Sequence, residues 1–176
     1  MIHKGINLIR YLNRGLIDGS LSVMGVIIGA FNPNIELIIS AGLAGALANA
    51  ASNLIAAFSA EQATGYKYLK DLEEDLLIDL RNTGKEKEIK RKIKKSALTD
   101  GISTLLGGVI PLLPFFLLKA KQALMASIIV TLLLFVVLGV YYGRLSKKNI
   151  IISGLKMAFI ALVTAGVCFL IRILIK

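Results

Sequence analysis

Asp18 is a carboxylate inside an apolar run that extends from Gly15 to Phe31. At the centre of a membrane helix a carboxylate costs roughly 2.5–3.5 kcal/mol on insertion scales, so it is kept where a cation, a polar cavity or a partner meets it. Ser22 follows at i+4, on the same helical face. Two readings stand side by side: Asp18 serves visiting cations, or it sits near the cytoplasmic end and pairs with Arg14. Asn49 and Asn53 form a second one-turn pair in the next apolar run. Their amide oxygens are hard ligands suited to oxygen-preferring divalent cations; the same side chains also form hydrogen bonds between membrane helices. Asp100 precedes Ser103 and Thr104 by a turn and is a secondary polar candidate. Its plainer role is an acidic helix start that complements the macrodipole.

A third set of acids lies between the apolar runs: Glu61, Asp71, Glu73, Glu74, Asp75 and Asp79. Glu61, Asp75 and Asp79 fall on one flank at 3.6-residue periodicity. Clustered carboxylates bind divalent cations through oxygen, and Glu61, Asp71, Glu74, Asp75 and Asp79 are the cytosolic candidates for that role. The alternative is a solvated charged face, since Lys67, Lys70 and Arg81 are interspersed. Gly15/Gly19, Gly25/Gly29 and Gly139/Gly143 each fit GxxxG, which lets helices approach closely; two such pairs in one run suggest tight packing of that helix, against its own symmetry mate among other partners. Cys168, His3 and the methionines read as packing or surface residues.

The elements that must position these groups are helical. Hydrophobic residues make up 56% of the 176, above the ~45–50% of soluble domains, and no strand-type alternation occurs. Ile2, Ile6 and Ile9, with Lys4, Arg10 and Arg14, predict a short amphipathic surface helix over residues 1–14. Five spans follow: Gly15–Phe31, Ile35–Phe58, Ala97–Leu118, Ala123–Tyr142 and Ile150–Ile175. Asn32-Pro33-Asn34 is a turn signal, and Pro111 and Pro114 predict a kink or an early end in span three. Residues 61–96 form a hydrophilic helical insert broken at Asn82-Thr83-Gly84, its second helix supported by Glu86–Lys90 and Glu88–Lys92 and running into span three. The whole reads as all-α, a polytopic integral membrane protein forming one membrane domain over residues 1–176.

The net charge of +10 would suggest nucleic acid in a soluble protein. Here the basic residues lie between apolar runs, there is no Trp, and no nucleic-acid motif occurs. With the N-terminus inside, 17 Lys/Arg fall on the cytoplasmic side and 4 outside, which favours N-in, C-out. The run Lys85–Lys95, seven basic residues against two acidic, is placed on anionic lipid headgroups. One cysteine excludes an internal disulfide, and the sequence lacks a P-loop, a nucleophile elbow, GxGxxG after a strand and HExxH. The expectation is a non-enzyme without a cofactor.

Several stretches together carry a resemblance. Asp18-Gly19, Gly25-Val26 and Gly29, then Ala41-Gly42-Leu43-Ala44-Gly45-Ala46-Leu47 and Ala56-Ala57-Phe58-Ser59, resemble the first two helices of the vacuolar iron transporter family. Gly107-Gly108-Val109-Ile110-Pro111-Leu112-Leu113-Pro114 is similar to that family's third-helix signature, and the insert matches in position. The resemblance implies a five-helix homodimer that exports Fe²⁺, and often Mn²⁺, from the cytosol by proton antiport. It implies a metal path at the dimer interface lined by span one, with Asp18 matching the family's transport carboxylate and Glu61 matching its metal-collecting insert. Three positions depart: Asn49 stands where the family commonly has Met, Asn53 where it often has an acid or Gly, and the insert is short and basic. Amide oxygen in place of thioether predicts a preference for Mn²⁺ or another hard cation, or poor transport. The expected partners are membrane lipid, metal ions, protons and a second copy, without nucleic acid, in a prokaryotic plasma membrane. The alternative is a non-transporting membrane scaffold that retains the fold; convergence of Asp18, Asn49 and Asn53 on one polar cavity discriminates against it.

Overall fold

A computed structural model describes residues 2–31 and 34–175, with side chains from residue 8 onward. The elements are α1 (Ile2–Gly29), α2 (Ile35–Leu76), α3 (Gly84–Val109), a 3₁₀ segment (Ile110–Phe116), α4 (Ala120–Leu145) and α5 (Ile150–Leu174). No strand occurs among the described residues. Asn32, Pro33 and the side chains of Ile2, His3, Lys4 and Ile6 lie outside what is described.

Local signals account for the boundaries. The Asn34 side chain accepts from the Glu36 and Leu37 amides at 3.0 and 3.3 Å and caps α2. Thr83 caps α3, and Glu86, three residues on, accepts the Asn82 amide at 2.7 Å. Lys90, 2.7 Å from Glu86, and that amide hold the Glu86 carboxyl below its usual range. Asn149 caps α5 through the Ile151 and Ile152 amides. The expected disturbance in span three is present: the α-helix stops at Val109 and Pro111 and Pro114 sit in the tighter 3₁₀ turn that follows.

Three expectations are revised. There is no separate surface helix before span one, because α1 is continuous from Ile2 through Gly29; nothing between Arg14 and Gly15 breaks it. The insert expected over residues 61–96 likewise begins without a break, its first helix being the continuation of α2. α2 has 42 residues, a length of about 63 Å at 1.5 Å per residue, twice the ~30 Å hydrocarbon core of a bilayer. Its C-terminal half and the start of α3 form a helical hairpin with its own small core of Leu69, Leu80, Ile89 and Ile93. Finally, α2 ends at Leu76, where Leu77 turns left-handed at φ 52°. Asp79 therefore leaves the helical flank it shared with Glu61 and Asp75 and is bound by Arg81, whose amide donates to it at 2.8 Å.

Four helical stretches are long and apolar enough to cross a membrane: α2, α3 with its 3₁₀ extension, α4 and α5. α1 is not among them. It is the inner helix, packed against every other element, with Val23, Met24 and Ile27 fully buried. A helix shielded by its neighbours carries polar residues that a lipid-facing helix does not. Conversely, α5 exposes Leu155, Phe159, Leu162 and Leu170 on its outer face, as lipid contact requires.

The closest packing joins α1 to α3. A Cβ at Gly15 would stand 2.7 Å from the Asp100 carbonyl, and one at Gly19 would stand 1.9 Å from the Thr104 carbonyl. The first GxxxG is thus spent inside the chain. Gly25 meets only the Cys168 Sγ at 3.5 Å and Gly29 meets nothing. Gly19→Ala is expected to destabilise the protein by about 2 kcal/mol, within the range for overpacking. A fall in melting temperature in detergent checks this; an unchanged value would mean that α1 and α3 separate without loss.

Candidate metal pathway

Asp18, half-buried on α1, faces α2. The Asn53 amide nitrogen donates to its Oδ2 at 2.6 Å and to the Thr104 hydroxyl of α3 at 3.0 Å. One turn away the Asn49 amide donates to the Ser22 hydroxyl at 3.0 Å. The antiparallel run of α1 and α2 turns two i,i+4 pairs into two polar rungs, Asp18–Asn53 and Ser22–Asn49. Thr104 in turn donates to the Asp100 carbonyl at 2.7 Å.

Arg14 decides how Asp18 is used. It stands at i−4 from Asp18, yet its guanidinium makes a two-pronged pair with Asp100: Nε donates to Oδ1 at 3.2 Å and the terminal nitrogen donates to Oδ2. Asp100 is fully buried, whereas the Arg14 side chain is 49% exposed. Asp100 is therefore no helix start. It lies in the middle of α3, where continuity from Gly84 removes the cap reading, and its charge is matched by a forked donor. Asp18 is left with a neutral partner.

An open cavity of about 740 Å³ lies beside Asp18, lined by Arg10, Arg14, Leu21, Asn53, Ala56 and Tyr142 among others. Asp18 and Asn53 thus share one polar cavity, while Asn49 and Ser22 lie outside its lining. Arg10 and Arg14 both rest on the Tyr11 ring, 5.4 and 5.1 Å from its centroid. If Asn49 is a ligand, Asn49→Ala should lower metal uptake into vesicles severalfold. Uptake equal to wild type would leave it as a rung between helices.

The acids expected to collect metal do not gather. Glu61 is buried, accepting from Tyr11 Oη at 3.0 Å and pairing with Lys92 at 3.3 Å. Burial first, and then this bond to Glu61, raises the Tyr11 hydroxyl pKa. Glu74 is 3.9 Å from Lys70, Asp79 is paired with Arg81, and Asp71 and Asp75 are exposed. Among the described residues no group of three His, Cys, Asp or Glu side chains is placed to hold a metal ion. Sequence reasoning passed over Tyr11 and Tyr142, and gave Lys92 only a helix-supporting pair with Glu88. Tyr11 carried a signal, standing one turn or less from two arginines at the head of a helix; Tyr142 carried none.

The model of the VIT family matches residues 74–172. The chain belongs to that family. The match includes Asp100 and the Gly107–Pro114 signature; Asp18, Asn49 and Asn53 lie before it. An uncharacterised protein of Methanocaldococcus jannaschii is 44% identical over 167 residues, 93% of this chain and 87% of its own. Vacuolar iron transporter 1 of Tulipa gesneriana is 37% identical, and that of Arabidopsis thaliana 33%, each over 87 residues, 49% of this chain. The chain spans about a third of the length of these plant relatives, 35% in both. As a VIT-family member with four apolar helices of membrane-crossing length, it is an integral membrane protein.

Proposed function

We propose that this VIT-family chain is a divalent metal transporter that exports Fe²⁺ or Mn²⁺ from the cytosol, exchanging the metal for a proton at Asp18. One observation carries the reading: Asp18 borders an open cavity while the nearby Arg14 is committed to Asp100. A carboxylate held by a neutral amide keeps its charge for a cation, and an ion that leaves it can be replaced by a proton. The names of the plant relatives support iron as a substrate; Asn53, an oxygen donor on the same cavity, supports Mn²⁺ as a second.

In this reading α1 is the fifth crossing, the N-terminus is cytoplasmic and the C-terminus outside. The contact of Tyr11 with Glu61 supports this by bringing the start of α1 to the basic hairpin. A second copy closes the open side of the cavity, and the unused Gly25/Gly29 pair is available to it. Glu61 releases Lys92 to take up metal from the cytosol, with Asp71, Glu74 and Asp75 as exposed accessory acids.

The second reading, a membrane scaffold without transport, is favoured by two features: Asn49 lies outside the cavity that Asp18 and Asn53 share, and Arg10 and Arg14 place two guanidinium groups on its lining. Uptake by proteoliposomes of Fe²⁺, Mn²⁺ and Co²⁺, with and without a pH gradient, separates the two. Export predicts metal accumulation that a proton gradient accelerates. A scaffold predicts rates equal to protein-free vesicles for all three ions.

A further inference from the structure

One face of α3 changes character along its length. Lys87, Arg91, Lys94 and Lys95 are exposed at spacings of four, three and one, and continue into exposed Leu98, Ile102 and Leu106. All seven recur at i+3 or i+4 and share a stripe. The acids of this stretch are engaged with other lysines: Glu86 with Lys90 at 2.7 Å, Glu88 with Lys85 at 3.8 Å. No ion pair among the described residues takes up the four cations of the stripe. Where the stripe turns apolar, it opens on a groove of about 300 Å³ between α1 and α3, walled by Leu12, Leu16, Leu98, Ile102 and Leu106 with Lys95 at its edge. The groove is on a different side of α1 from Asp18: Leu16 and Leu12 lie about 160° and 120° around the helix from it at about 100° per residue.

We infer that this groove is a binding site for an anionic phospholipid, one hydrocarbon chain lying along Leu98, Ile102 and Leu106 and the phosphodiester on Lys95 and Arg91. Charge and depth argue for this occupant. Lys95 is about 4.5 Å along the helix from Leu98, at 1.5 Å per residue, so the cations stand at headgroup level when the leucines stand in hydrocarbon. Basic residues at that level are attracted to anionic lipid, and a hydrophobic trough directly below them suits a chain better than a soluble anion. The inference rests on α3 crossing the bilayer and not on metal transport.

The test is native mass spectrometry of the full chain in detergent, with phosphatidylglycerol, phosphatidylcholine or inorganic phosphate added. Wild type is expected to retain phosphatidylglycerol at least tenfold better than phosphatidylcholine and to keep it in excess phosphate. Arg91→Glu with Lys95→Glu should remove that preference, and Ile102→Trp, which fills the trough, should lower retention with the cations intact. Lys147→Glu with Lys148→Glu, an equal charge change on the α4–α5 turn, should change neither. Equal retention of the two lipids, displacement by phosphate, or the same loss from the α4–α5 turn variant would overturn the assignment. So would a Leu98→Cys chain, in a Cys168→Ser background, that cross-links to a second copy through residue 98.

Discussion

Asp18→Asn should assemble as wild type does and lose metal-dependent flux, at least a hundredfold in proteoliposomes loaded with a metal-sensitive dye. The substitution keeps the size of the side chain and its reach to Asn53, so the rung between α1 and α2 survives while the charge goes. In the fold its effect is mild, since Asp18 is half-buried and its bond partner is a neutral amide. In function its effect is large, because the cavity loses its one carboxylate: the remaining amide oxygens carry no charge to offset the dehydration of a divalent cation and cannot take up the exchanging proton. Full flux in a folded Asp18→Asn protein would remove this carboxylate from the pathway.

Arg14→Met should have the second large effect, this time on stability. Asp100 is fully buried in the middle of α3 and Arg14 supplies its charge partner. Removing one member of a buried pair strands the other, at a cost of about 3 kcal/mol, the lower end of the range for such losses because Arg14 is half-exposed. The double variant Arg14→Met/Asp100→Asn should recover most of the loss, since no unpaired charge remains. Thermal unfolding of the four proteins in one detergent reads the cycle. Equal destabilisation by the single and double variants would mean that Arg14 acts through its packing on Tyr11 instead.

Period and composition are sufficient to reveal the helical architecture. The runs from Ala123 and from Ile150 are apolar for more than 18 residues and appear as α4 and α5 with boundaries close to those expected. The proline pair disturbed span three as its missing amides require. What periodicity could not give was continuity. A helix can change composition without breaking, so the shift from apolar to charged near Glu61 looked like the end of span two and the start of a separate insert helix. It lies inside α2, which continues to Leu76.

For the candidate site, the i,i+4 spacing made the Asp18/Ser22 and Asn49/Asn53 faces legible, and antiparallel packing joined them rung to rung. The choice made by Arg14 was not legible. Asp18 is one turn away along α1, and Asp100 is 86 residues away along the chain. Local spacing favours the first, but the close approach at Gly15 carries the backbone of α3 against α1 and brings a fully buried acid within reach of the guanidinium. Glu61 illustrates the same limit. Its helical flank suggested a cluster with Asp75 and Asp79, whereas a tyrosine from α1 and a lysine from α3 claim it.

The most direct measurement is a titration of the purified, full-length protein with Mn²⁺, followed by electron paramagnetic resonance, for wild type and Asp18→Asn. Wild type should show a bound Mn²⁺ species that Fe²⁺ displaces, and Asp18→Asn should lose that species while its melting temperature holds. Equal Mn²⁺ binding by the two proteins would contradict the assignment of Asp18 to a cation path.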